Sequence, residues 1–318
     1  MNPLVSILIP CYNAEQWIEQ AIASALEQTY KNTEVIVIDD GSSDRSVEII
    51  QSFGEQISWS TQSNQGGNVT RNRLLQLSRG SWIQYLDSDD YLLPDKIAQQ
   101  VEFLTRNPDT DVIYSPSIIQ YQNTDKIDRE ILPIPQPHDP WILLARWFLP
   151  QTNSPLWRKK AIASVGGWKV DQPCCQEHEL YLRLLQANKR FSYCDFAGSV
   201  YRQWSESTVC KKDKTETLRR RLEIIDRLEQ HLDRTQQLTE LRQQQINRSR
   251  FECARIVWLT DKQWANTIVA KIQAAEQAFL PQGKCAPRIY RWLYRWFGFE
   301  IAEKMAATKR QLNMSINS

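Results

Sequence analysis

Val35-Ile36-Val37-Ile38-Asp39-Asp40-Gly41-Ser42-Ser43-Asp44 joins four β-branched residues to an acidic turn. The apolar run has the length and composition of a strand buried on both faces, and Asp, Gly and Ser are residues that close such a strand. The same punctuation recurs around it. Val5-Ser6-Ile7-Leu8-Ile9 reads as a strand ending at Pro10-Cys11-Tyr12-Asn13, Ile57 to Trp59 as another, and Trp82 to Leu86 as a fourth entering Asp87-Ser88-Asp89-Asp90. Between them apolar residues return at helical spacing: Trp17, Ile18, Ala21, Ile22, Ala25 and Leu26, then Val47, Ile49, Ile50 and Phe53, then Leu74, Leu75 and Leu77 behind Gly66-Gly67. This alternation predicts an α/β fold with a mainly parallel, Rossmann-like sheet flanked by helices.

Downstream the pattern is mixed. Asp111 to Tyr121 reads as strand, Pro133-Ile134-Pro135-Gln136-Pro137 as a surface loop, and Gly166-Gly167-Trp168 as a turn before a helical segment spanning Glu177 to Leu185. After Lys212 the chain reads as helix throughout, with little glycine. The expected organisation is a domain over residues 1–212, with halves 1–110 and 111–212, followed by a helical region over 213–318.

The formal net charge of +2 is too balanced for an extended nucleic-acid surface, so any bound anion needs a local site. Seven cysteines, including Cys210, are odd in number and lack zinc-ligand spacing, which fits reduced thiols. No apolar run approaches the ~20 residues of a membrane-spanning helix, and the N-terminus has no basic leader. A cytoplasmic protein is expected. Arg288-Ile289-Tyr290-Arg291-Trp292-Leu293-Tyr294-Arg295-Trp296-Phe297 mixes basic with interfacial aromatic residues. It fits either peripheral contact with the inner face of a membrane or a helix docked on the domain over residues 1–212.

In an open parallel sheet, ligands bind outside the carboxyl ends of the strands. Four features fall at such ends: Pro10 to Asn13, Asp39-Asp40, Asn64-Gln65-Gly66-Gly67 and Asp87 to Asp90. Ordinary turn chemistry explains any one of them alone; their convergence on one edge does not follow from it. Three carboxylates within four residues repel one another and call for a cation. Hard oxygen ligands suit Mg²⁺ or Mn²⁺, which keep part of their shell for phosphate oxygens. The plainer alternative is a solvated loop before the helix at Pro94-Asp95, with Asp95 its cap or dipole partner. Asp39-Asp40 offers acceptors for a base or ribose edge. Gly66 and Gly67 permit close backbone approach, and Arg71, expected on the first turn behind them, is either a cationic arm or a surface residue. A dinucleotide-dependent oxidoreductase would need G-x-G-x-x-G after the first strand, where Pro10-Cys11-Tyr12-Asn13 stands instead.

Taken in order, Val5 to Asn13, Val37 to Asp44, Asn64-Gln65-Gly66 with Arg71-Asn72, and Asp87-Ser88-Asp89-Asp90 resemble glycosyltransferase family 2. The resemblance is dense over the first hundred residues and traceable to about Ser207. It implies a GT-A fold, with residues 1–110 binding a nucleotide sugar and 111–212 shaping the acceptor side. It further implies inverting transfer from a UDP- or dTDP-linked sugar to a saccharide or lipid-linked acceptor, in glycan or cell-surface polysaccharide synthesis. By the resemblance Pro10, Tyr12 and Asp40 contact the nucleoside and Asp39 supports their loop. Arg71 lies near the nucleotide. Asp87 and Asp89 match the metal-binding D-x-D, with Asp89 the better direct ligand. Gln176-Glu177-His178-Glu179-Leu180-Tyr181-Leu182-Arg183 aligns with the family's E-D-x-D-L-W-L-R, which puts the catalytic base at Glu177 and a Gln where the first acid belongs. The alternative is an ordinary helix face with a Glu179–Arg183 ion pair, and His178 reads as incidental. Tyr201-Arg202-Gln203-Trp204 resembles the family's Y-R-x-H with Trp204 in the histidine's place, which implies either that Arg202 carries more of the leaving-group charge or that Trp204 stacks on a sugar face. Trp157 or Trp168 would serve as an acceptor platform if not packed in the core. A catalytically inactive nucleotide-binding or scaffold protein on the same fold is the competing expectation.

Overall fold

The first strand, β1 (Val5–Cys11), is buried along its length except at Pro10, as a central strand covered on both faces must be. It pairs in parallel with β2 (Thr33–Asp39) on one side and β4 (Trp82–Tyr85) on the other, and β2 pairs in parallel with β3 (Ser58–Thr61). Pairing with β4 stops at Leu8↔Tyr85. Pro10, which has no N–H to donate, therefore falls where one flank of β1 no longer faces a strand. The crossovers run through α1 (Ile18–Leu26), α2 (Ser46–Ser52) and α3 (Gly67–Leu77). Ile18, Ala21, Ile22 and Ala25 of α1 pack with Ile7, Ile9, Val35 and Val37 of the sheet. The α/β, mainly parallel architecture expected from the sequence is present.

The computed structural model describes residues 2–123, 126–203, 213–283 and 285–316; Trp204 and Cys210 lie outside the described residues. After β5 (Tyr91–Leu92) and α4 (Lys96–Arg106), the stretch expected to be one strand over Asp111 to Tyr121 is two. β6 (Val112–Tyr114) and β7 (Ser117–Asn123) flank Ser115-Pro116 and belong to different sheets. The proline biases Ser115 and withdraws a donor at the point where the chain changes sheets. Then follow β8 (Lys126–Leu132), α5 (Pro140–Ala145), β9 (Leu156–Arg158), α6 (Lys159–Ser164), α7 (Gln176–Gln186), β10 (Phe191–Tyr193) and β11 (Ser199–Gln203). The seven-stranded sheet has the order β10-β6-β9-β4-β1-β2-β3, and the four-stranded one β5-β11-β7-β8. Only β9 runs antiparallel in the larger sheet.

Two compact units result: Met1–Leu144 with Phe148–Lys212, and Ala145–Trp147 with Asp213–Ser318. The second contains α8 (Lys214–Arg234), α9 (Glu240–Val257), α10 (Lys262–Ala275) and α11 (Arg288–Ile316), the last interrupted at Gly298 by φ 75°. Asp213, Thr239 and Asp261 each accept the backbone N–H three residues on, capping α8, α9 and α10. Phe251 is fully buried among Phe279, Tyr290, Tyr294 and Phe299. Arg250, also buried, is neutralised by Asp226 and Glu229. Among the described residues no helix is long and apolar enough to cross a membrane.

Candidate active site

The parallel register brings the carboxyl ends of β1, β2 and β3 level: Cys11 faces Asp39, and Asp39 faces Thr61. The loops beyond are stitched side by side. Asn13 accepts from the Ser43 N–H and donates its own N–H to the Ser42 hydroxyl, both at 2.8 Å. Asp39 closes its turn by accepting from the N–H groups of Gly41 and Ser42 and from the Ser42 hydroxyl. Asp40 reaches the next loop, taking the N–H groups of Gln65 (3.0 Å) and Gly66 (2.8 Å) and the Gln62 amide (2.7 Å). Gly41, at φ 79°, has no room for a side chain: a Cβ would lie 2.9 Å from the backbone nitrogen of Asn64. Asp39 and Asp40 are 1% and 3% exposed, whereas Tyr12 is 53% exposed and Pro10 half-buried.

The three carboxylates after β4 separate by environment. Asp90 is buried and accepts from the Asn153 amide (2.9 Å) and the Arg202 N–H (2.8 Å). Burial, then repulsion from Asp89 and Asp87, pushes its carboxyl well above the usual range. Asp87 and Asp89 are half-buried. Arg202 fixes the loop: it donates to the Asp89 carbonyl at 2.7 Å and to the Gln20 side chain, with its guanidinium over the rings of Trp17 (4.8 Å) and Tyr91 (4.6 Å). It is 3% exposed, so the diphosphate contact expected of it would require the loop to move or would act through that loop.

Arg71 gathers the rest. It lies on the second turn of α3, one turn later than expected, and pairs with Asp87 at 2.7 Å. It also donates to Gln176 at 2.9 Å and covers the Trp168 ring at 4.9 Å. Burial alone would lower its pKa; Asp87 and then Glu177 hold it above the ordinary arginine value. Its helix neighbours anchor the facing segment: Asn72, next in the chain, exchanges two 2.7 Å hydrogen bonds with the Trp168 backbone, and Asn68, one turn earlier, donates to the carbonyls of Lys169 and Gln172. That segment leads into α7 through Cys175, a non-glycine residue at φ 56°. Glu177, on the first turn of α7, lies 3.2 Å from the His178 Nδ1. Burial pushes the Glu177 carboxyl up, but His178 and, more weakly, Arg71 outweigh it and leave its pKa below the usual value.

The half-buried carboxylates of Asp87 and Asp89 are hard oxygen donors of the kind that suit Mg²⁺ or Mn²⁺, which take one or two protein carboxylates and complete their shell with phosphate and water. Among the described residues no group of three or more His, Cys, Asp or Glu could enclose a metal; Asp90, the third carboxylate of the run, is turned into the core. Trp157 and Trp168, entertained as sugar platforms, are at most 1% exposed; Trp157 stacks on Tyr181 at 5.1 Å. Both are core residues. Asp95 precedes α4 without capping it, its side chain accepting from the Thr29 hydroxyl instead. The Glu179–Arg183 ion pair does form, at 2.7 Å, on the same helix as Glu177.

The sequence model described as Glycosyl transferase family 2 matches residues 6–164, half of the chain. The chain belongs to glycosyl transferase family 2. An uncharacterized glycosyltransferase of Haemophilus influenzae is 43% identical over 109 residues, 33% of this chain and 44% of that one. The chain thus spans less than half the length of the first curated relatives it matches. In fold it is similar to S. aureus TarS 1–349 in complex with UDP-GlcNAc, at TM-score 0.66 and 16% identity, covering 96% of this chain and 91% of that one. It is also similar to the mannosyltransferase PcManGT from Pyrobaculum calidifontis in complex with GDP-Man and Mn²⁺, at TM-score 0.50 and 14% identity, covering 98% and 88%. These likenesses bear on the fold, which is of the GT-A type.

Within this family 2 chain, several residues at the site carried no signal in one dimension. Asn68 was not singled out in the sequence, and Asn72 entered only beside Arg71 in the family motif, with nothing to say that it would hold the Trp168 backbone. Tyr201 is half-buried, and its hydroxyl pKa is raised by burial and then by Asp90, Asp89, Glu177 and Asp87. All four acids thus act on it electrostatically. His178, read as incidental, lies 3.2 Å from Glu177 and is the largest of the influences that lower its pKa.

Proposed function

We propose that this chain catalyses inverting transfer of a sugar from a UDP- or dTDP-linked donor to a hydroxyl of a saccharide or lipid-linked acceptor, in glycan or cell-surface polysaccharide synthesis. One observation carries the reading: Arg71 joins Asp87 of the D-x-D loop to Gln176 at the start of the helix that presents Glu177. The expected leaving-group station and the expected base are thereby held by one side chain. Pro10, Tyr12 and the loop held by Asp39 and Asp40 take the nucleoside, and Arg71 lies beside its diphosphate. Asp87 and Asp89 would hold Mg²⁺ or Mn²⁺, with Asp89 the principal ligand because Arg71 already engages Asp87. A divalent cation bound there would offset charge on the departing diphosphate. Glu177, ionised at neutral pH, takes the proton from the acceptor hydroxyl; that oxygen bonds to the sugar C1, and the C1–O bond to the diphosphate breaks on the opposite face. Arg202 acts as a positioning residue, holding the Asp89 carbonyl while Asp90 holds the Arg202 backbone.

Thermal-shift screening against nucleotide sugars, followed by donor consumption and product analysis with and without Mn²⁺, tests the proposal. Metal-dependent consumption with inversion at C1 is expected. Donor binding with no turnover under any acceptor would instead identify an inactive nucleotide-binding protein, the reading that the Gln at position 176 would favour.

A further inference from the structure

The Arg288 to Phe297 segment has two unlike sides. Tyr290, Leu293 and Tyr294 are buried in the core of the helical unit. Ile289, Trp292 and Trp296 are 73%, 57% and 66% exposed, and Arg288, Arg291 and Arg295 are exposed too. At ~100° per residue, each trio has the i, i+3, i+7 spacing of one helix stripe, and the two stripes adjoin. The outward face of the first part of α11 is thus an arginine stripe beside an aromatic and aliphatic one. Between Gln277 and Phe299 the sequence has no acidic residue. A groove of about 470 Å³, bordered by Leu280, Pro281 and the three arginines, runs along this face.

We propose that this face of α11 binds the surface of an anionic phospholipid bilayer, with the arginines on headgroup phosphates and Trp292 and Trp296 at the headgroup–acyl boundary. Charge complementarity selects the partner. A cationic stripe alone would suit any polyanion, but flat aromatic side chains set beside it, on a helix whose opposite side is already packed, match the layered chemistry of a lipid interface. The groove offers a phosphate a cationic seat. The helix lies on the surface and does not span it.

Co-sedimentation of the full chain with vesicles tests this. Binding is expected to vesicles of equal phosphatidylcholine and phosphatidylglycerol, at least ~10-fold tighter than to phosphatidylcholine alone, and weaker as salt rises. Each Arg→Gln change at positions 288, 291 and 295 should weaken binding about fivefold. The double variant W292A/W296A should lose at least ~10-fold, whereas W292F/W296F, which keeps the apolar rings, should retain binding and guards against misfolding as the cause. Equal affinity for both vesicle types, or unchanged binding by W292A/W296A, overturns the proposal. So does a single-stranded oligonucleotide that binds the same arginines and excludes vesicles, or a dimer abolished by these substitutions.

Discussion

Two acidic stations stand on one edge of the same sheet, yet they are used in opposite ways. Asp39 and Asp40 are buried, and their oxygens accept hydrogen bonds from neighbouring turns. Asp87 and Asp89 stay half-buried on a loop whose shape is set by other groups: Asp90 below, Arg202 behind and Arg71 alongside. The difference lies in what satisfies each carboxylate. Where backbone N–H groups do so, as at Asp39 and Asp40, the acid is a fastener; Asp87 meets a single arginine instead, and the proposed function gives it and Asp89 the metal.

Substitutions should split along that line. The largest effect is expected for Asp89→Ala: metal-dependent transfer falls by ~10³-fold, of the order seen when one charge-stabilising group is lost, with the thermal midpoint unchanged. A matched loss of stability would put Asp89 in the fastener class. Asp40→Ala should show the reverse order, because it strands the Gln65 and Gly66 N–H groups. A loss of ~3 kcal/mol is expected in denaturant titration, and an unaltered midpoint would show that the loops hold without it. A subtler change is expected for His178→Asn. Glu177 works ionised and its pKa lies below the ordinary value, so kcat should hold through neutral pH and fall only as pH drops through that lowered pKa. Removing His178 takes away the main lowering influence, and the acid limb of the kcat profile should move to higher pH. An unmoved limb would detach His178 from the base. The smallest effect belongs to an acid outside both stations: Asp95→Ala, which loses one exposed bond to Thr29, should stay within ~0.5 kcal/mol of the parent.

Much of this was readable along the chain, because the strands and the turns they feed are contiguous. Val35–Asp44 carries both its burial and its turn in ten residues, and the parallel sheet follows from repeating that unit. What stayed hidden depends on contacts distant in sequence. Arg71 meets Gln176 across 105 positions, and Asn72 meets Trp168 across 96. Neither pairing has a periodicity to betray it. β9 is three residues long and antiparallel, too short for any pattern to mark. The fates of Asp90 and Arg202 were hidden for a related reason: adjacency in an acidic run or a family motif does not say which side chain turns inward. Burial decides that, and it is a property of the fold.

The claim that most needs testing is that Asp87, Arg71 and Glu177 serve one reaction. Donor affinity and single-turnover transfer should be measured together for Glu177→Gln with a nucleotide sugar that the parent protein uses. The account predicts donor affinity within about twofold of the parent and a transfer rate reduced by ~10²–10⁴-fold, the range for loss of a general base. Unchanged transfer would contradict it, because the helix that Arg71 ties to the D-x-D loop would then carry no base.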